Sequence, residues 1–280
     1  MNIQKAIKIA NEILKKNKIK SAKLDSEILM SKVLKRDRKY ICLNFNEEIK
    51  EENLFIFKDL ILKRSLGRPV AYLTGKKDFW KHEFIVSKDT LIPRPDTEIL
   101  IDNVLKITKQ KSELNLLDIG VGSGCILLSI LKEKKDFYGT GIDISKKCIE
   151  ISKINAFNLN LSNRVKFFKS DVDNFFYGKY DLIISNPPYI KKLDLQYLDK
   201  DVIDFEPKLA LNGGLEGTSE IRKVINRSSE LIKKNGKLVL EIAFDHKYKV
   251  TKLLKDKGFY INSIIKDYAK NDRCIISTKI

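Results

Sequence analysis

The chain has 280 residues with 43% hydrophobic residues, enough to bury one large core and a smaller one. No run approaches the roughly 18 consecutive apolar residues of a membrane span, and the start "MNIQKAIKIANEILKK" lacks the apolar centre of a signal peptide, so a cytoplasmic protein is expected. The formal net charge of +17 points to an anionic partner such as nucleic acid or a ribosome-associated factor, yet 45 of the 54 basic residues are Lys, spread along the whole chain. Phosphate and guanine readers favour Arg, of which there are nine, so general lysine enrichment explains the charge at least as well. Residues 1–75 are the densest region, with 17 basic and 9 acidic residues; a charged macromolecule would dock there first. The four cysteines are far apart and the two histidines isolated, which argues against a zinc site or a disulfide framework.

In chain order, apolar residues from Ile3 to about Leu66 recur at helical spacing. Polar breaks near Asn17 to Ser21, Arg36 to Arg38 and Asn44 to Asn46 divide them into about four short helices, a small bundle expected to end at Gly67 and Pro69. Residues 76–92 alternate aromatic and β-branched residues and predict a β-hairpin turning near Lys81 and His82 or near Ser87 and Lys88. "PRPDTEIL" then opens a helix with an acidic first turn. From Leu114 strands and helices alternate, with strands near 114–119, 137–143, 164–169, 180–185, 237–243, 259–267 and 273–279. Helices fall near 96–110, 124–134, 145–158, 217–234 and 246–257. This predicts an α/β fold with a seven-stranded, mostly parallel sheet ending in an antiparallel pair. The expected division is a helical domain over 1–75, a hairpin linker over 76–92 and an α/β domain over 93–280.

Four strand ends carry the chemistry. "LLDIGVGSGCILLSIL" places Asp118 before a turn of Gly120, Val121, Gly122, Ser123 and Gly124 that opens an apolar helix. Glycines there let a ligand approach the backbone closely. The spacing differs from the dinucleotide fingerprint Gly-x-Gly-x-x-Gly, and an acid before the turn repels pyrophosphate but can hold an ammonium group such as the amino-acid tail of S-adenosylmethionine. Asp143, ending the next strand, is placed to accept both ribose hydroxyls. Asp171, after the third, is placed to reach the adenine amino group.

The fourth strand delivers "NPPY", Asn186, Pro187, Pro188 and Tyr189. Each proline pushes its predecessor into extended geometry and removes an N–H, leaving a stiff elbow rich in acceptors. The Asn186 side-chain carbonyl and the Pro187 backbone carbonyl can grip the two hydrogens of a planar NH2 group, with Tyr189 over its flat face. Alignment of that nitrogen with a sulfonium methyl would supply most of the catalysis.

With these motifs the chain resembles the release-factor glutamine methyltransferases, the HemK/PrmC family. The resemblance rests on "GRPVAYLTGKKDFW", "LIPRPDTE", "LLDIGVGSGC", "SNPPYI", "FEPKLAL" and "LVLEIAFDH". It implies a class I, Rossmann-like methyltransferase domain behind a helical substrate-recognition domain. It further implies transfer of methyl from S-adenosylmethionine, leaving S-adenosylhomocysteine, to the glutamine amide nitrogen of the Gly-Gly-Gln loop in class I peptide chain release factors. Gly120 to Gly124, Asp143 and Asp171 with Val172 would hold the cofactor, Ile92 to Glu98 would line its pocket, and Asn186 to Tyr189 would face the glutamine. Two departures stand out. Val172 occupies a position often aromatic in the family, for which Phe175 or Phe176 could compensate, and "EIAFDH" replaces a Gly-Tyr-Asp-Gln pattern. The partner expectation is a release factor without membrane or obligatory nucleic acid, and a monomer by default. "NPPY" also suits an adenine-N6 methyltransferase acting on DNA or RNA. A glutamine methyltransferase for a ribosomal protein would share every catalytic residue, and a non-catalytic cofactor-binding factor is the reading from another class.

Overall fold

The computed structural model describes residues 1–280. It divides into two compact units, Met1–Lys76 with Asp199–Phe205, and Lys77–Leu198 with Glu206–Ile280. No helix is long and apolar enough to cross a membrane.

The first unit is helical: α1 (Ile3–Lys16), α2 (Ala22–Leu34), α3 (Arg38–Leu43), α4 (Glu51–Ser65) and α5 (Val70–Thr74), joined by α9 (Lys200–Phe205) from later in the chain. Ile3, Ala6, Ile7, Ala10 and Leu14 form the buried stripe of α1, whose start is capped by Asn2 accepting from the Lys5 N–H. Glu51 and Glu52 open α4 while Lys63 and Arg64 close it, matching the helix dipole. The helical region does not stop at Gly67 and Pro69 as expected. Pro69 lacks an N–H that a first helical turn would not use, so α5 starts directly after it and ends at Gly75 with φ 78°.

Inside this unit Arg64 donates to Asp25 at 2.7 Å, both side chains nearly buried, and also to the Gly67 and Arg68 carbonyls. The guanidinium thereby ties α4 to α2 and closes the turn that follows it.

The second unit opens on a two-stranded hairpin, β1 (Lys76–Phe79, whose first residue is the last of the first unit) and β2 (His82–Ile85). Its turn falls at Trp80, with φ 55°, and Lys81; the signal at Ser87 is a separate turn closed by Thr90 N–H donating to Ser87 O. Phe79 and Phe84 are buried edge to face at 6.2 Å.

The α/β part comprises a 3-10 turn at Pro95–Thr97, α6 (Glu98–Ile107), β3 (Asn115–Ile119), α7 (Cys125–Glu133), β4 (Tyr138–Asp143), α8 (Lys146–Asn158), β5 (Val165–Lys169), β6 (Tyr180–Ser185), α10 (Ser219–Leu231), β7 (Ile232–Glu241), α11 (Lys247–Asp256), β8 (Phe259–Lys266) and β9 (Asp272–Lys279). The seven-stranded sheet runs β5-β4-β3-β6-β7-β9-β8, parallel through β7 and antiparallel at β9 and β8. Helices cover both faces, as the near-continuous apolar strands require. Side chains alternate: Leu116 joins the core under α6, α7 and α8, while Leu117 and Ile119 join that under α10 and α11. Two boundaries differ from expectation. Helix α10 stops at Leu231 and β7 begins at Ile232, because Ile232 pairs with Tyr180 before Asn235, at φ 63°, and Gly236 shift the register.

The buried Asp25–Arg64 pair yields a stability prediction. Arg64→Ala strands a buried carboxylate, and amide exchange in α1, α2 and α4 should report a loss of about 3–5 kcal/mol. Replacing both residues by apolar ones should cost less, and unchanged exchange in the single variant would refute the ion pair's role.

Candidate active site

The parallel register sets the geometry. Ile119 pairs with Ile142 and with Ser185, so the ends of β4, β3 and β6 lie level along one carboxyl edge, with β5 beyond β4. The chain winds outward through β4 and β5 on one side of β3 and returns through β6 on the other. That is the topological switch point at which open α/β sheets bind ligands.

Asp118 is 1% exposed, on the strand face that α7 covers, and neither carboxylate oxygen has a partner at hydrogen-bonding geometry. Burial pushes its carboxyl up to about 7, opposed by the Leu127 N–H at the start of α7 and reinforced by the Asp143 charge. The turn above it runs at φ 77°, 56° and 82° through Gly120, Gly122 and Gly124. A Cβ at Gly120 or Gly122 would meet no atom within 4 Å, so the backbone is bare on that side, whereas one at Gly124 would strike Leu128. Val121 is buried in the core, and its N–H and that of Gly120 are both spent on the Ile142 carbonyl. An orphaned acid beside bare glycine backbone fits an ammonium-bearing ligand; it does not fit a pyrophosphate.

Asp143 accepts from the Gly122 N–H at 2.9 Å and the Ser145 N–H at 2.8 Å, so it braces the glycine turn while each oxygen retains a lone pair. Burial raises its carboxyl above the ordinary range. Asp171 accepts from the Asp173 N–H and caps a 3-10 turn, and Val172 packs half-buried on the core. Arg227 pins this loop by donating to the Val172 and Asp173 carbonyls and lies 4.0 Å over the Phe176 ring. Phe175 is fully buried among Leu117, Ile119 and Ile142, so it serves the core and not a ligand face. Of the two phenylalanines, Phe176 is the exposed one.

At the end of β6, Pro187 is buried and Asn186, Pro188 and Tyr189 are half-buried. The Asn186 Nδ2 donates to Thr97 Oγ1 at 3.2 Å, leaving Oδ1 as the acceptor end. Tyr189 OH donates to Glu241 Oε1 at 3.2 Å, and burial pushes the phenol well above its usual range, so Tyr189 contributes a ring and a tether and no proton. Glu241 is 2% exposed and burial raises its carboxyl to about 7, against the favourable influence of Thr97, Arg273 and Tyr189.

The backbone beyond Tyr189 is held by a glycine loop. Gly213 N–H donates to Ile190 O, and a Cβ at Gly217 would strike Tyr189 O at 2.5 Å and His246 Cε1 at 2.8 Å. His246 is 1% exposed with neither ring nitrogen hydrogen-bonded; burial lowers its pKa against the opposing Asp245 charge 3.7 Å away, and the ring fills the space behind the loop. Arg94 donates to Glu206, which also accepts from the Ile92 N–H, so "IPRPDTE" and "FEPKLAL" are joined at one carboxylate.

Several of these residues escape a reading of sequence. Asn155, 1% exposed, donates to Ile85 O and Ser123 O and accepts from Ile85 N–H, linking the hairpin to the glycine turn. Its signal is a lone amide in the apolar stripe of α8. Thr97 lies within Ile92 to Glu98, expected to line the cofactor pocket, but nothing in the sequence marks its contact with Asn186, and Glu241 reads as an ordinary polar residue at a strand end.

Residues 5–75 match the family described as PrmC N-terminal domain, and residues 94–263 match the methyltransferase small domain. A release factor glutamine methyltransferase of Clostridium acetobutylicum is 38% identical across 100% of this chain and 99% of its own. One from Buchnera aphidicola subsp. Acyrthosiphon pisum is also 38% identical, with the same coverage. Among solved structures, the ribosomal protein L11 methylase of Lactobacillus delbrueckii subsp. bulgaricus superposes with a TM-score of 0.51 at 16% identity, over 73% of this chain and 90% of that one, a likeness of fold. At this identity over its full length, the chain belongs to the release factor glutamine methyltransferase family.

Proposed function

We propose that the protein transfers a methyl group from S-adenosylmethionine to the side-chain amide nitrogen of the glutamine in the Gly-Gly-Gln loop of class I peptide chain release factors. The observation that carries this reading is Asn186, whose NH2 end is committed to Thr97 and whose carbonyl is left as an acceptor at the edge where Asp118 lies orphaned. Family membership supplies the acceptor class and leaves the adenine-N6 and ribosomal-protein readings without support of their own.

S-adenosylmethionine supplies an electrophilic methyl on a sulfonium centre. Asp118 would accept from the ammonium of its amino-acid tail, Gly120 and Gly122 would line that tail with Ser123 and Gly124 completing the turn and Val121 anchoring it in the core, and Asp143 would accept from the ribose hydroxyls. Asp171 and Val172 would meet the adenine. Asn186 Oδ1 and the Pro187 carbonyl would accept the two amide hydrogens of the target, turning the nitrogen toward the methyl. The amide lone pair is delocalised, so the gain comes from orientation and from acceptors facing a nitrogen that becomes positive. The proton leaves after that charge develops, so no side chain has to remove it first. Pro188 stiffens the elbow and the Tyr189 ring, fixed by Glu241, bounds the amide's flat face. Residues 1–75 are the release-factor recognition domain in this reading, and the enzyme acts as a cytoplasmic monomer without nucleic acid.

Asn186→Ala should lower kcat on a release factor by about 10²–10³-fold while leaving cofactor affinity within about threefold, because the lost contact acts on the nucleophile. Equal losses in both would refute the assignment.

Asp118 gives a pH prediction. Its carboxyl sits at about 7 against an ordinary 3.8, so the cofactor-free fold holds a proton that the unfolded chain releases, and its stability falls as pH rises through that interval. Cofactor affinity moves the other way, falling about tenfold per pH unit below about 7 as the carboxylate is lost. It turns over near pH ~8, where the cofactor's own amino group deprotonates. Calorimetry across this range should lose the acidic limb in Asp118→Asn, which should also melt higher than wild type when cofactor-free above pH ~7. A flat wild-type profile would move the ammonium site elsewhere.

A further inference from the structure

An asparagine amide can turn end for end with little change of shape, so packing alone cannot decide whether Asn186 offers its carbonyl or its NH2 to a substrate. The hydrogen bond from Nδ2 to Thr97 Oγ1 at 3.2 Å decides it only if the Thr97 hydroxyl is prevented from donating in the opposite sense. Thr97 is 3% exposed, so its proton must find an acceptor within the protein. Glu241 is an acceptor within reach of that hydroxyl. Leu240 registers with Ser185 across β6 and β7, so Glu241, which ends β7, and Asn186, which follows β6, are neighbours at the carboxyl edge of the sheet. Burial raises the Glu241 carboxyl to about 7 while the Thr97 hydroxyl favours its charged form; above that pH the carboxylate has no proton to give.

We propose that Glu241 is a positioning residue that, acting through the Thr97 hydroxyl, fixes which end of the Asn186 amide faces the substrate. The inference rests on the acceptor role given to Asn186 above. With the Thr97 proton drawn toward Glu241, the hydroxyl turns a lone pair to Asn186, which must answer with NH2 and leave Oδ1 outward. Two further observations point the same way. Oε2 of Glu241 is buried without a partner at hydrogen-bonding geometry, so the carboxylate has acceptor capacity that packing does not use. Oε1 takes the Tyr189 hydroxyl, so one group reaches both flanks of the elbow, Tyr189 directly and Asn186 through Thr97. Burial, and to a lesser degree Asp96, oppose the charged carboxylate there, while Arg273, itself held by Asp267 and donating to the Ile242 carbonyl, supplies the positive charge that supports it.

The test uses the full-length enzyme with a class I release factor. Glu241→Gln can donate as well as accept and Thr97→Val removes the relay; each should lower kcat about 10–100-fold with cofactor affinity and melting temperature close to wild type. Thr97→Ser restores the hydroxyl and should recover kcat to within a few-fold of wild type. The double variant Glu241→Gln/Thr97→Val should be no slower than the slower single, since the two residues act in series. Full kcat in either single variant, losses that multiply in the double, failure of Thr97→Ser to recover, or an effect confined to cofactor affinity would each overturn the proposal. Should Glu241→Gln unfold, the contrast between Thr97→Val and Thr97→Ser decides the matter. A wild-type enzyme inactive on the release factor would overturn the functional reading; an active wild type with indifferent variants overturns this inference alone.

Discussion

The site depends on the register of parallel hydrogen bonding between β3 and its neighbours. Asp118 opposes Gly141 on one side and Ile184 on the other, which brings the glycine turn, Asp143 and Asn186 to the same level. A slip of one residue in β3 would reverse its faces, sending Asp118 toward α10 and α11 and Leu117 toward α7. The two apolar cores therefore protect the chemistry by protecting the register. The Gly139 and Gly141 positions show how close that packing is: a Cβ at Gly141 would lie 2.8 Å from both Phe167 and Val121.

Two buried carboxylates define what this edge offers. Asp118 and Glu241 are each pushed to about 7 by burial, and each keeps oxygen atoms without partners. In a fold that buries Asp25 against Arg64 and Glu206 against Arg94, leaving two acids under-compensated is a local sacrifice of stability. The unmatched acceptors lie on either side of Asn186. Asp118 is suited to a cation that arrives with a ligand, whereas Glu241 is suited to a proton already in the protein, on Thr97 or Tyr189. In the proposed reading one acid serves cofactor capture and the other the set of the elbow.

Much of the sheet was legible because its cues are local: apolar runs of strand length, glycines after a strand, an acid at a strand tip, and two prolines that forbid helix after Asn186. The order β5-β4-β3-β6 is not among those local cues; it depends on which face of the sheet each crossover helix covers. What stayed hidden depends on partners distant in sequence. Phe175 reads as an aromatic near a candidate adenine site, yet it is buried in the core that also holds Ile119 and Ile142. Asn155 meets Ile85 across 70 residues and Glu241 meets Tyr189 across 52, contacts that no window along the chain encloses. Helix α5 was missed because Pro69 reads equally as a stop or as the residue before a first turn. The candidate ligand contacts of Asp143 and Asp171 share their carboxylates with local backbone N–H groups, a use that pattern alone does not distinguish from a cap.

The most direct measurement is transfer of labelled methyl from S-adenosylmethionine by the purified protein to three separate acceptors: a class I release factor, the same factor with Gln→Ala in its Gly-Gly-Gln loop, and bulk nucleic acid. The account predicts label on the intact factor and on neither of the others. Label on nucleic acid instead would contradict it, assigning the Asn186 elbow to a flipped adenine and making the net charge of +17 part of substrate binding.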